Sequence, residues 1–151
     1  MIEPGIGQRW SEKERVRYHI DHSEGRTLVE SLRGAGVQPE EVTHCLMTHC
    51  HWDHIGAVCG NDGLPVFREA EHWAPQIEID CALNPDHLRR ASYRADDIAP
   101  LLAEDLLQGF QGEFSPLEGI RMILLKYESL WGRVFFFNEQ CFIIIKFRIG
   151  F

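Results

Sequence analysis

Thr48-His49-Cys50-His51-Trp52-Asp53-His54 is the stretch on which the reading of this chain turns. It follows a β-prone run, Val42 to Thr48, and sets three imidazoles and a carboxylate between positions 49 and 54. In extended backbone, residues two apart point the same way. His49 and His51 are therefore predicted to face one metal ion if the segment leaves the strand as an extended loop. Asp53 continues that alternation, and His54 is one residue out of phase. A helix would instead turn His49 and His51 about 200° apart. One segment thus offers a His pair to a first ion and an Asp–His pair to a second. Imidazole and carboxylate suit zinc, and also iron or manganese.

Working outward, Leu28, Val29 and Leu32 recur at helical spacing between Thr27 and Ala35, and Gly34 and Gly36 mark a stop. Residues 8–26 are rich in charge and read as an exposed loop or short helix. Val37 to Glu41 reads as a turn. The strand from Val42 to Thr48 is expected to put Cys45 and Met47 on one face and His44 and Leu46 on the other. Beyond the motif, the pattern predicts a short helix over 54–59, a brief strand over Leu64–Phe67 and a helix from Glu69 to Ile79. Polar helical pieces follow over 85–102, broken at Pro100, and a strand over Gly119–Ile123. Strand and helix alternating in this way favour mixed layers. Gly5-Ile6-Gly7 lacks the third glycine of a dinucleotide loop, since Trp10 stands there.

Thr48-His49-x-His51-x-Asp53-His54-x-Gly56 resembles the signature of the metallo-β-lactamase-fold hydrolase superfamily. Glu3-Pro4-Gly5 is similar to that family's strand-end Asp-Thr-Gly. The helix ending at Gly36, followed by Pro39-Glu40-Glu41-Val42, is similar to its lead-in, and Phe67-Arg68-Glu69-Ala70-Glu71 resembles a segment of lactonase-like members. The likeness spans roughly residues 1–123. It implies an α+β fold, part of an αββα sandwich. It also implies two metal ions, usually zinc, with His49 and His51 on the first and Asp53 and His54 on the second. Asp53 would further orient the attacking water or carry its proton, and an ester, lactone or related carbonyl compound would be the small-molecule substrate.

The departures point the other way. The family adds a His from a later Gly-His-Thr turn, but Leu125-Lys126-Tyr127-Glu128-Ser129 follows the strand here, and no His comes after His87. Two readings follow: a hydrolase, or a catalytically silent remnant that binds metal weakly or completes its site by forming a homo-oligomer. Residues 124–151 read as an atypical apolar tail, holding six of the nine Phe; a hairpin of Val134–Phe137 with Phe142–Phe147 is the competing reading.

Composition bounds the rest. A net charge of −8 argues against nucleic acid as a partner, because such binders concentrate Lys and Arg. The 5 Cys lack paired spacing and fit a reducing, cytoplasmic setting. No apolar stretch approaches bilayer length. His44 is expected in packing, His72 in a structural or surface position, His19, His22 and His87 in solvated segments, and Cys50 pointing away from its His neighbours. Tyr93 is a candidate only for approaching substrate.

Overall fold

The computed structural model describes residues 1–23, 25–125 and 142–147. It divides into two compact units, Met1–Gly109 and a second beginning at Phe110. No helix among the described residues is long and apolar enough to cross a membrane.

The first unit opens on a parallel bridge between Ile2 and Leu46. Helices α1 (Glu12–Tyr18) and α2 (Leu28–Gly34) each begin at a capping box, Ser11 with Glu14 and Thr27 with Glu30. In both, the hydroxyl accepts from the amide three residues on and the Glu reaches back, so two otherwise orphaned amides are satisfied. Strand β1 (His44–Leu46) pairs in parallel with β2 (Glu71–Pro75), and β3 (Leu107–Phe110) completes the order β1-β2-β3. Helices α3 (Trp52–Ile55), α4 (Gln76–Leu83) and α5 (Ala95–Ala103) supply the rest. Met47, Ile55, Val58, Phe67, Ile98 and Leu101 are fully enclosed in the core.

Several expectations are corrected here. Glu69–Ile79 is not one helix, because Glu71–Pro75 is a strand and α4 starts only at Gln76. Pairing with β1 overrides helical spacing, and it sends His72 fully into the core. Leu64–Phe67 forms only an isolated bridge, Cys59 with Pro65. Helix α5 is not broken at Pro100. A proline leaves the carbonyl four residues back without its helical donor, and that carbonyl, of Asp96, accepts a 3.0 Å bond from Arg9. On β1 the two faces do not divide core from solvent: Cys45, Leu46 and Met47 are all buried.

Backbone contacts tie the N-terminal residues to the motif. Gly5 N–H donates to the His54 carbonyl at 2.7 Å, and Ala57 N–H donates to the Gly5 carbonyl at 2.9 Å. Gly7 lies against Gly56 so closely that a Cβ on it would sit 2.2 Å from the Gly56 carbonyl oxygen. The obstacle is backbone, which cannot swing aside. Gly7→Ala is therefore expected to cost more than about 2 kcal/mol, read as a lower denaturation midpoint in urea. A midpoint equal to that of the parent would contradict the close approach.

In the second unit, β4 (Glu113–Leu117), β5 (Ile120–Leu125) and β6 (Phe142–Phe147) form an antiparallel sheet in that order. Strand β6 lies along β5 from Ile120 opposite Phe147 to Leu125 opposite Phe142. Residues 134–137, the other arm of the hairpin in the competing reading, lie outside the described residues.

Candidate metal centre

The β1 ladder ends with Met47 N–H donating to the Trp73 carbonyl, 2.9 Å away. The chain bends at Thr48 and reaches His51 in extended backbone (φ −71°, ψ 145°), and the His51 carbonyl caps α3 by accepting from the His54 and Ile55 amides at 3.0 Å. The His49 and His51 rings meet edge to face, 4.5 Å apart. The extended backbone expected at His51 is present.

It does not continue to Asp53. Helix starts at Trp52, two residues before the position expected, so Asp53 and His54 stand in one helical turn. Adjacent side chains there diverge by about 100° instead of 180°, and both can flank one point. Asp53 Oδ2 lies 3.6 Å from His54 Nε2. Two ligands of a tetrahedral zinc ion, each 2.0–2.1 Å from it, stand about 3.3 Å apart, so this pair has the spacing of neighbours on one ion. The carboxylate also sits in the first turn, where the helix dipole favours negative charge. The His54 ring lies 3.9 Å from that of His49.

Glu3 joins this group. One carboxylate oxygen accepts from the Thr48 amide at 2.6 Å, and the other is hydrogen-bonded to His54 Nδ1. Ligand atoms of Glu3, His49 and His54 all lie within 4.8 Å of one another. Glu3 holds a φ of 52°, the left-handed region that a non-glycine residue adopts at a cost. Sequence reasoning took Glu3 only as the end of a strand. Its likeness to Asp-Thr-Gly was the available signal, but 51 residues separate it from His54.

Burial, then the neighbouring His54 and His51, holds His49 below the ordinary imidazole pKa, and burial does the same for His51. Both are thus neutral at pH 7, the form that can ligate. His49 Nδ1 is engaged by the Thr48 hydroxyl at 2.9 Å.

Beneath the motif, Cys50 is buried in the core, and its amide donates to Glu78 Oε2 at 3.1 Å. Burial raises its thiol pKa well above the ordinary range. Cys59 is likewise buried, with its thiol pushed up to about 11. Tyr93 is buried rather than presented to solvent; its ring lies 4.8 Å from that of His51, and its hydroxyl donates to Glu78 Oε2 at 3.0 Å. Trp52 packs against Trp10 and Tyr18, with ring centroids 4.9 and 5.2 Å away. His44 is half-buried, His19 and His87 are exposed, and His22 is partly enclosed.

The sequence profile of the metallo-beta-lactamase superfamily matches residues 1–116. The chain belongs to this superfamily. Among curated members, it is 32% identical over 101 residues to an N-acyl homoserine lactonase AttM from Rhizobium johnstonii, covering 66% of this chain and 35% of that protein. It is 29% identical over 101 residues to the AttM lactonase of Agrobacterium fabrum, again 66% of this chain and 35% of the relative. Its fold superposes on a probable metal-dependent hydrolase from Staphylococcus aureus with a TM-score of 0.72 and 27% identity, over 81% of this chain and 43% of the other. AidC, a dizinc quorum-quenching lactonase, shares the metallo-beta-lactamase fold at a TM-score of 0.59 and 20% identity, over 82% and 42% of the two chains. The chain thus spans about a third of the length of its AttM relatives. The expected mixture of helix and strand in a metallo-beta-lactamase fold is what the structure has.

Proposed function

We propose that this protein is a metal-dependent hydrolase acting on a lactone or related ester. In this reading His49 and His51 hold one ion and Asp53 and His54 a second, with zinc the preferred metal. The observation that carries it is a run of close approaches along the motif: the His49 ring lies 4.5 Å from that of His51 and 3.9 Å from that of His54, and Asp53 Oδ2 lies 3.6 Å from His54 Nε2. The lactonase relatives support the substrate class. A net charge of −8 suits a small molecule better than a polyanion.

A bound ion of this kind lowers the pKa of its water to about 7 and polarises a carbonyl. The chain's own residues prepare for that chemistry. Glu3 fixes the His54 tautomer: a proton on Nδ1 shared with the carboxylate leaves the Nε2 lone pair free. His49 and His51 are kept neutral by burial. The Asp53 side chain, 51% exposed, is reachable from solvent, where it would accept a proton from the attacking water and return it to the departing alkoxide.

A second reading, metal binding without turnover, is supported by ligand count. The motif offers two side chains per ion, whereas a catalytic zinc centre holds three. Hydrolysis of an N-acyl homoserine lactone and a set of aryl esters, with and without added zinc or manganese, decides between them. Zinc-dependent turnover above the rate of zinc alone, slower than the typical enzyme median of about 10 per second and lost in Asp53→Asn, is the expected result. A rate equal to zinc alone on every substrate would reject the hydrolase reading for this chain.

A further inference from the structure

The Glu78 carboxylate lies directly under the candidate centre. Glu78 stands on α4, is 8% exposed, and accepts through Oε2 from the Cys50 amide at 3.1 Å and the Tyr93 hydroxyl at 3.0 Å. Cys50 is the residue between His49 and His51, so this bond holds the backbone from which both imidazoles project. The next residues are held from the same side: Trp52 N–H donates to the Ser92 carbonyl at 3.0 Å, and its indole donates to the Ala91 carbonyl at 2.9 Å. Residues 91–92 and Glu78 together clamp Cys50 and Trp52, the positions on either side of His51.

A neutral acceptor would satisfy an amide and a phenol equally well, so hydrogen bonding alone does not call for a carboxylate there. Burying a charge is costly unless an opposite charge compensates it. Among the described residues, no Lys or Arg forms an ion pair with Glu78. Glu78 is bonded to the backbone between His49 and His51, and Tyr93, its other donor, sets its ring 4.8 Å from that of His51.

We propose that Glu78 is a positioning residue for the metal centre, fixing the His49–His51 backbone through Cys50 and supplying the buried negative charge that a divalent cation on this pair balances. The inference rests on the metal assignment made above. Tyr93 is then the second donor that orients the carboxylate.

The test is zinc affinity by competition with a chromophoric chelator, together with the visible spectrum of the cobalt-substituted protein. Both are measured on the full chain, on Glu78→Gln, Tyr93→Phe and the His49→Ala/His51→Ala double variant. Glu78→Gln keeps an acceptor and removes the charge; about tenfold weaker zinc binding is expected, with an altered cobalt spectrum and metal-free thermal stability near that of the parent. Tyr93→Phe keeps the charge and the Cys50 bond, and its affinity should stay within threefold of the parent. Parental affinity and spectrum in Glu78→Gln would overturn the inference while leaving the metal centre standing. A parent that binds no zinc, or a double variant that binds as well as the parent, would remove the metal centre itself and this inference with it. Should the Gln variant fail to fold, Tyr93→Phe decides: parental affinity supports the carboxylate as the anchor, and a tenfold loss overturns it in favour of the phenol.

Discussion

Zinc bound per chain is expected to fall in His49→Ala/His51→Ala by the ion assigned to that pair, measured by elemental analysis after dialysis. Two neutral imidazoles, 4.5 Å apart between ring centres, are removed together, and no Cys replaces them, because Cys50 is enclosed in the core. Equal stoichiometric zinc in parent and variant would end the assignment. The pH course has a definite sign. Both His49 and His51 are held below the ordinary imidazole pKa, so protons compete with the metal only at more acidic pH than they would for a free pair. Zinc bound at this pair should therefore be retained as pH falls through 6.5. Release centred at or above 6.5 would mean that the pair is solvated.

His72 and Asp97 carry the second large effect, and they oppose each other. His72 is fully buried, and neither ring nitrogen has a hydrogen-bond partner among the described residues. Burial lowers its pKa from 6.5 to about 4, offset in part by the nearby backbone of Ala70 and Leu106. The unfolded chain therefore binds the proton more readily. The stability contributed by the neutral ring is present above pH 6.5 and is lost as pH falls towards 4. Asp97 is 2% exposed and ion-paired with Arg9 at 2.7 Å, yet burial outweighs the pairing and raises its pKa from 3.8 to about 6. Its protonated form favours the fold, so its contribution grows between pH 6 and 4.

Between pH 7 and 5, His72 should cost the metal-free protein about 2 kcal/mol, and Asp97 should return about 1 kcal/mol. The two terms partly cancel in the parent, and the variants expose them separately. In urea denaturation at both pH values, His72→Leu should gain about 2 kcal/mol on the parent in going from pH 7 to 5. Asp97→Asn should lose about 1 kcal/mol over the same interval. Parallel curves for parent and His72→Leu would show that the ring is not buried neutral.

Much of this molecule was legible in the sequence. Helix α2 was read from the spacing of Leu28, Val29 and Leu32, whereas the capping boxes at Ser11 and Thr27, which satisfy amides within one turn, went unread. The motif was equally plain, because ligand types two apart in a strand-end segment have few other uses. The switch from extended to helical backbone at Trp52 was missed, and with it the 3.6 Å approach of Asp53 to His54. Alternation predicts directions only while the backbone keeps one conformation. Likewise the spacing of apolar residues in 69–79 suits a helix, and only an available partner strand, β1, makes Glu71–Pro75 a strand.

By itself, the sequence determined the family, the mixture of helix and strand, and the candidate ligands His49, His51, Asp53 and His54, all of them properties of short segments. The tertiary structure alone decided which distant residues serve them. Glu3 reaches His54 across 51 positions and Glu78 reaches Cys50 across 28, and Pro100 is tolerated because Arg9 takes the carbonyl it frees. The physical reason is common to all three. A buried or orphaned polar group must find a partner, and which partner it finds depends on how the chain closes upon itself, not on the residues beside it.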